Sequence, residues 1–380
     1  MLKLNKFKGL IVLSVLFSSL CLSFLMSQST GAVIYNRTYG VAQPTATVAT
    51  CSAVMGPIPQ PTPNVNCFSK IQPAIDAAQA NDVIKVGPGT YNEKLSINKK
   101  LTLTGASGSR TIVNAGGNSG IPGDNEGLKS VGTYGVTIDG FTFKNSSFAK
   151  AAIFLDRTTN FTVKNSKFID NFYGIKMIGG TTNTLSNNIF TNTNPYGGSY
   201  AIILQNLEYT TFGNKTMCSN RHNIYNNNIV SPSDGIYLGE NCDGNVLTGN
   251  TISAPRGMAV NIWGSDNNTL TGNTIQNSKQ AVVFYGAQNN TLTSNNIVNN
   301  NQAFQVDAIL GKIPSEGNVV NANNITGNTT LVKQGVGNGS SYFNVMNNWW
   351  GTTVESEITS KFAVTNINSI LYAPYAIAPF

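Results

Sequence analysis

Three carboxylates lie close together in the second half of the chain: Glu240, Asp243 and Asp266. Carboxylates at short range can share a proton, or can bind calcium if turn carbonyls and Asn side chains complete the oxygen shell. Arg256 falls in the same stretch. The three are therefore the candidate catalytic set if the chain is an enzyme, and calcium is the one cofactor they suggest. A second group is aromatic: Tyr237, Trp263 and Tyr285, with Asn261 and Gln205 as hydrogen-bonding neighbours. Flat rings in a row can stack on sugar rings. The other reading is that they shield a sheet beneath a loop at 207–222. His222, the single histidine, stands beside Arg221. It is the side chain that titrates near neutral pH, though no nucleophile accompanies it.

A repeated phrase places these residues. It reads Asn-x-Leu/Val-x-x-Asn-x-Ile, and its closing Ile falls at Ile252, Ile275, Ile297 and Ile325. A period in the low twenties, made of short β-prone runs and Asn/Gly turns, marks a solenoid. The fold class is thus all-β: a single-stranded, right-handed parallel β-helix of about ten coils with an N-terminal capping α-helix. A second run recurs in each coil, a small residue followed by an alternating strand, as in Ala152–Leu155, Gly174–Met177, Ala201–Leu204, Gly235–Leu238, Ala259–Ile262, Ala281–Phe284 and Ala303–Val306. Alternation sends Ile153 and Leu155, then Ile175 and Met177, into stacked core columns. Asn at the turns tolerates left-handed backbone and can bond to its counterpart one coil away.

The outward positions of that strand form two columns. One holds Phe154, Lys176, Ile203, Tyr237, Asn261, Val283 and Gln305. The other holds Asp156, Ile178, Gln205, Gly239, Trp263, Tyr285 and Asp307. Coils are roughly 4.8 Å apart, so Asp156 and Asp307, six coils apart, stand roughly 29 Å from each other and cannot pair as acid and base. Asp243 and Asp266 fall at matching turns of neighbouring coils. The long step from Ile189 to Ile229 reads as one coil carrying a bulge near 191–199 and a loop near 207–222.

The coils are expected from about Val136, preceded by a helix over 69–80 with Ser69 as N-cap and Ile71, Ile75 and Ala78 inward. Strands are expected at Val83–Val86, Leu95–Ile97 and Leu101–Leu103, with a turn at Gly87–Thr90. Such a helix covers the open end that every solenoid must cap. The β-helix domain is assigned to 67–380. Residues 33–66 carry Pro44, Pro57, Pro59, Pro61 and Pro63 and read as a linker. Residues 1–32 read as a signal peptide or N-terminal anchor: Lys3, Lys6 and Lys8 precede an apolar run to Met26, and Thr30-Gly31-Ala32 suits cleavage.

Losing that segment lowers the net charge from +7 to +4, because Lys3, Lys6 and Lys8 are its only charged residues. So weak and scattered a charge does not imply nucleic acid. With 11% charged and 41% hydrophobic residues the composition is not that of a disordered chain. Of the five cysteines, Cys21 leaves with the signal. The other four are expected as disulfides 51–67 and 218–242 (Cys51, Cys67, Cys218 and Cys242), from sequence proximity in an exported chain. Sequons such as Asn160-Phe-Thr, Asn214-Lys-Thr and Asn324-Ile-Thr accept glycans only in a host that performs the modification.

The text from Ile71-Gln-Pro-Ala-Ile-Asp-Ala-Ala78 through Asp82-Val-Ile-Lys-Val-Gly-Pro-Gly-Thr-Tyr-Asn-Glu93 to Leu101-Thr-Leu-Thr-Gly105 resembles the opening of pectin-lyase-like β-helices. It is most similar to NosD-type and carbohydrate-binding/sugar-hydrolase repeat families. Val136–Phe143 and Asn347-Asn-Trp-Trp-Gly351 extend the resemblance over roughly 68–376. The resemblance implies the fold; the architecture hosts lyases, esterases, hydrolases and non-enzymes alike. The motifs of pectin methylesterases and polygalacturonases have no match here, and no segment matches the calcium-Asp and Arg set of pectate lyases. NosD-type proteins act in copper-site maturation, yet one His and scattered Met make no evident soft-metal site. The expected function is a secreted or surface-displayed protein, extracellular or periplasmic, that binds polysaccharide or cell-surface glycan along its long face without catalysis. The alternatives are a lyase or hydrolase acting on acidic glycans, and a purely structural adhesion protein. No membrane contact is expected beyond the N-terminal anchor.

Overall fold

The computed structural model describes residues 38–41, 67–106, 110–116, 126–192, 198–206, 218–231, 233–309, 314–335, 342–364 and 366–380. All the described residues lie in one unit, Thr38–Phe380. The segment read as a signal or anchor, and Cys51, lie outside the described residues.

Each coil contributes three short strands, one to each of three parallel sheets with 14, 10 and 11 strands. The coil at 246–263 is typical, with strands Val246–Thr248, Thr251–Ser253 and Met258–Trp263. The recurring Asn phrase is therefore two strands bent at its second Asn, and the alternating run is the third. Equivalent side chains stack in register: Leu247 on Leu270 on Leu292, and Ile252 on Ile275 on Ile297 on Ile325. All of these are fully buried. β-branched and aliphatic residues at every second position suit strands whose inner face is wholly apolar. The coils wind right-handed, the hand that a right-twisted strand imposes on parallel crossovers. Within the core, Phe143, Phe168 and Phe190 form a ladder with ring centroids 5.6 and 4.6 Å apart.

The corners are held by side-chain ladders. Between the first and second sheets run Asn188, Asn227, Asn250, Asn273, Asn295, Asn323 and Asn348. The backbone N–H of each donates to the side-chain oxygen of the next at 2.8–3.0 Å. Their Nδ2 groups also donate to strand-end carbonyls, such as Asn250 to Ile224 and Asn273 to Leu247. These buried amides take up main-chain groups that water cannot reach. The left-handed backbone falls on the residue before each ladder Asn, as at Gly249, Asn226, Ser294 and Ala322. The two duties expected of one turn Asn are thus divided between neighbours.

Helix α1 spans Ile71–Ala77, shorter than expected, and buries Ile71, Ala74 and Ile75. Ser69 does not cap it. Lys70 stands at the N-cap without a side-chain bond, and the Glu93 carboxylate instead accepts from the N–H groups of Ile71 and Gln72 at 2.9 and 3.0 Å. The coils begin at Val83–Val86, well before Val136, because Gly89–Tyr91 and Leu95–Ile97 already complete a three-strand rung. Long connections there, such as Asn114 to Leu128, hide the period in the sequence. Gly89–Tyr91 is consequently a strand, paired with Thr111–Asn114, where a turn was expected. Thr38–Val41, inside the segment read as linker, pairs with Val83–Val86. At the other end Trp350 and Ile358, the latter on helix α2 (Glu355–Thr359), join the hydrophobic core. No helix among the described residues is long and apolar enough to cross a membrane.

Candidate functional site on the third sheet

The outward columns of the third sheet hold in the structure. Phe154, Lys176, Ile203, Tyr237, Asn261, Val283 and Gln305 are successive register partners, and Lys333 continues the line. In the second column Asp156 pairs with Ile178 and Ile178 with Gln205, while Trp263 pairs with Tyr285 and Tyr285 with Asp307.

The three aromatic residues do not form one row. Trp263 and Tyr285 meet with centroids 4.9 Å apart and planes at 48°. Trp263 is 36% exposed, so the pair presents an open apolar face. Tyr237 belongs to the other column and packs on Tyr200 at 5.4 Å, which in turn meets Tyr173 at 6.1 Å. Gly239 takes the place that Trp263 holds one coil later. A Cβ there would lie 2.9 Å from the Tyr237 ring, so the missing side chain lets that ring settle. Burial, with a smaller effect from Glu240, pushes the Tyr237 hydroxyl up to about 12. Burial and then Asp307 raise Tyr285. Both hydroxyls therefore stay protonated at neutral pH and can donate.

A polar cluster borders the Trp263–Tyr285 pair. Gln305 Nε2 donates to Asp307 Oδ2 and, at 3.4 Å, to the Tyr285 hydroxyl. The Gln305 carbonyl accepts from Gln280 and, at 3.3 Å, from Gln302. Asp307 Oδ1 and the buried Asn261 Oδ1 have no hydrogen-bond partner among the described residues. A Cβ at Gly335 would collide with the Asp307 carboxylate, so the glycine makes its room. Of the expected binding residues, Trp263, Tyr285 and Asn261 lie in this region. Tyr237 joins a different aromatic row, and Gln205 lies in the column away from the pair. Gln280, Gln302, Gln305 and Asp307 were not among the expected residues, although reading down the column from Tyr285 leads directly to Asp307.

The carboxylates Glu240, Asp243 and Asp266 do not converge as a three-part site. Asp243 Oδ1 accepts the N–H of Asp266 at 2.8 Å, and Asp266 Oδ1 accepts the N–H of Gln288 at 2.7 Å. Asn220 fills the same place one coil earlier, accepting from the Asp243 N–H. Each carboxylate thus acts as a ladder rung, at matching turns of adjacent coils as expected. Burial, then the neighbouring Asp243, raises Asp266, while the Gln288 N–H opposes the rise. Glu240 is exposed. Arg256 sits in the turn between the second and third sheets, a different corner from that of Asp243. Among the described residues no group of three or more His, Cys, Asp or Glu is arranged to hold a metal.

His222 is not a loop residue. It occupies a ladder position at the corner before the first sheet, with Asn183, Asn245, Asn268, Asn290 and Asn318. Its Nδ1 accepts the Asn183 N–H at 2.9 Å and its own N–H donates to Asn245 Oδ1 at 2.9 Å. It is fully buried, and burial pulls its pKa down to about 3. A neutral imidazole locked among main-chain groups cannot exchange protons with a substrate. Cys218 and Cys242 form the expected disulfide, with Cα atoms 4.9 Å apart, tying the start of this coil to the next. The 51–67 pairing lies outside the described residues, since Cys51 and the Cys67 side chain are not among them.

The fold is a right-handed parallel β-helix. Residues 197–361 match the family described as periplasmic copper-binding protein (NosD), and residues 126–223 match the right-handed β-helix region. A cell surface glycoprotein of Methanothermus fervidus is 27% identical over 180 residues, 44% of this chain; the chain spans about a quarter (26%) of that relative's length. Among solved structures, an alginate lyase from Paenibacillus sp. FPU-7 superposes with a TM-score of 0.52 and 15% identity, covering 79% of this chain and 98% of its own. A lacto-N-biosidase from Eubacterium ramulus gives 0.53 and 11%, covering 79% and 67%. At such identities the likeness is one of fold. Among the described residues His222 is engaged at Nδ1 and buried, and Cys218 and Cys242 are joined to each other, so these donors do not form a copper centre.

Proposed function

We propose that this is an exported, surface-displayed or periplasmic β-helix protein that binds glycan on the outward face of its third sheet, without cleaving it. The observation that carries the reading is the open Trp263–Tyr285 pair beside Gln305 and Asp307. A sugar ring offers an apolar face of C–H groups and a rim of hydroxyls. The tilted indole and phenol suit the face, and the Gln305 amide, the Asp307 carboxylate and the Tyr285 hydroxyl suit the rim. The coil repeat, roughly 4.8 Å, extends such contacts along a chain of sugars. Two of the three candidate catalytic carboxylates, Asp243 and Asp266, accept from main-chain N–H groups, which favours binding over cleavage.

The test is a glycan array followed by titration of any ligand found. Trp263→Ala is expected to weaken binding about tenfold, as loss of an interfacial aromatic anchor costs about 1–2 kcal/mol. Unchanged affinity would remove the site. Product release from uronate polymers, abolished by Asp243→Asn, would replace this reading with an enzymatic one. No binding to any glycan would leave a structural surface protein.

A further inference from the structure

Asn-x-Ser/Thr triplets recur in this chain, and the structure sorts them. Six have their Asn among the described residues: Asn145, Asn160, Asn267, Asn289, Asn324 and Asn328. Asn328 is a buried ladder rung. It is 1% exposed, its oxygen accepts from Asn300, and its Nδ2 donates to the Ile297 carbonyl. A glycan there would break the corner. Asn324 is closed by a two-way amide contact with Phe380, and Asn145 Nδ2 donates to Asn114.

Asn160, Asn267 and Asn289 differ. All three are exposed and all three occupy one corner, before the first sheet, at φ of 52°, 57° and 55°. The left-handed backbone turns the side chain outward while the next residue takes the inward place. Asn268 and Asn290, directly after two of them, are fully buried rungs. Asn267 and Asn289 make no side-chain hydrogen bond to a described residue, and Asn160 is engaged only at its oxygen, by the Thr182 hydroxyl. Among the described residues no Nδ2 of the three has a partner, and each triplet ends in a threonine, Thr162, Thr269 or Thr291, that is only part-buried on the first sheet.

We propose that Asn160, Asn267 and Asn289 are N-glycan acceptors, a line of attachment sites along one edge of the solenoid. The donor class is a lipid-linked oligosaccharide activated as a phosphate ester. The Asn Nδ2 bonds to the sugar's C1, the C1–O bond to phosphate breaks, the lipid phosphate leaves with the electron pair, and the amide proton passes to a base of the transferase. Nothing in this depends on the glycan-binding face, which lies on another sheet.

The sequence supplies a clean variant. Thr269 stacks on Val246 and Thr291 stacks on Val319, so valine already occupies this column. Thr269→Val and Thr291→Val delete the acceptor triplet without touching the left-handed Asn or the ladder. Protein secreted by its native host is digested and its glycopeptides are mapped by mass spectrometry. The expected result is glycan on Asn160, Asn267 and Asn289 and none on Asn328. Each Val variant loses the glycan two residues upstream and keeps its melting temperature within a few degrees. Unmodified peptides at all three positions, glycan on Asn328, or modification that survives the Val substitutions would overturn the proposal.

Discussion

Replacing His222 with asparagine restores the side chain that every neighbouring rung of its column uses. In the folded protein the imidazole is neutral because burial pulls its pKa to about 3. In the unfolded chain its pKa is near the ordinary value of about 6.5. The folded pKa is the lower one, so the unfolded state takes up the proton first. The stability tied to a neutral His222 is therefore complete above pH 6.5 and is lost as pH falls from there toward 3. Each unit in that window costs about 1.4 kcal/mol, so the loss between pH 7 and pH 5 is about 2 kcal/mol. At pH 7 the substitution itself should be close to neutral. A small cavity costs about 1 kcal/mol, while the Nε2, which has no hydrogen-bond partner among the described residues, is removed, which recovers a similar amount. Urea unfolding followed by circular dichroism at pH 7 and pH 5 measures the difference. His222→Asn should gain about 2 kcal/mol on the parent protein between the two pH values. Parallel pH profiles would show that His222 is not buried neutral and would undo the ladder assignment.

Other perturbations probe the frame around it. Asn273→Ala strips the acceptor from the Asn250 N–H and Nδ2 and a donor from the Leu247 carbonyl, and should cost about 2–5 kcal/mol. Thr271→Ala, on the outer face of the adjacent strand, should stay within about 1 kcal/mol in the same urea titration. Removing the Cys218–Cys242 bond by a double Ala substitution frees a 24-residue separation and should cost about 3 kcal/mol, seen as a lower urea midpoint. Glu93→Ala uncaps helix α1 and should cost about 1–2 kcal/mol, whereas Ser69→Ala should leave the melting temperature unchanged.

What the sequence by itself determined was everything that repeats. The closing Ile positions, the alternating third strand and the inward Ile153, Leu155, Ile175 and Met177 follow from a period of two inside a period in the low twenties, and a parallel stack must keep both in register. The interrupted coil was legible as one coil with two inserts, but its register was read one residue off: Phe190, not Ile189, pairs with Ile229, and Ile189 is exposed. Tertiary structure decided what each exception does. His222 looked like loop chemistry in the sequence. It is a buried rung because Nδ1 offers the acceptor that an Asn would offer there. Asp243 and Asp266 looked like an acid pair, but adjacent coils place the N–H groups of Asp266 and Gln288 directly before them. Glu93, 22 residues from Ile71, caps a helix that local pattern assigned to Ser69. Trp263 found Tyr285, whereas Tyr237 turned to Tyr200 beside Gly239. In each case the deciding partner stands about one coil away along the chain yet in contact through space. A ladder of identical turns can be read in one dimension, but the partner of an odd residue within it is fixed only when the coils are stacked.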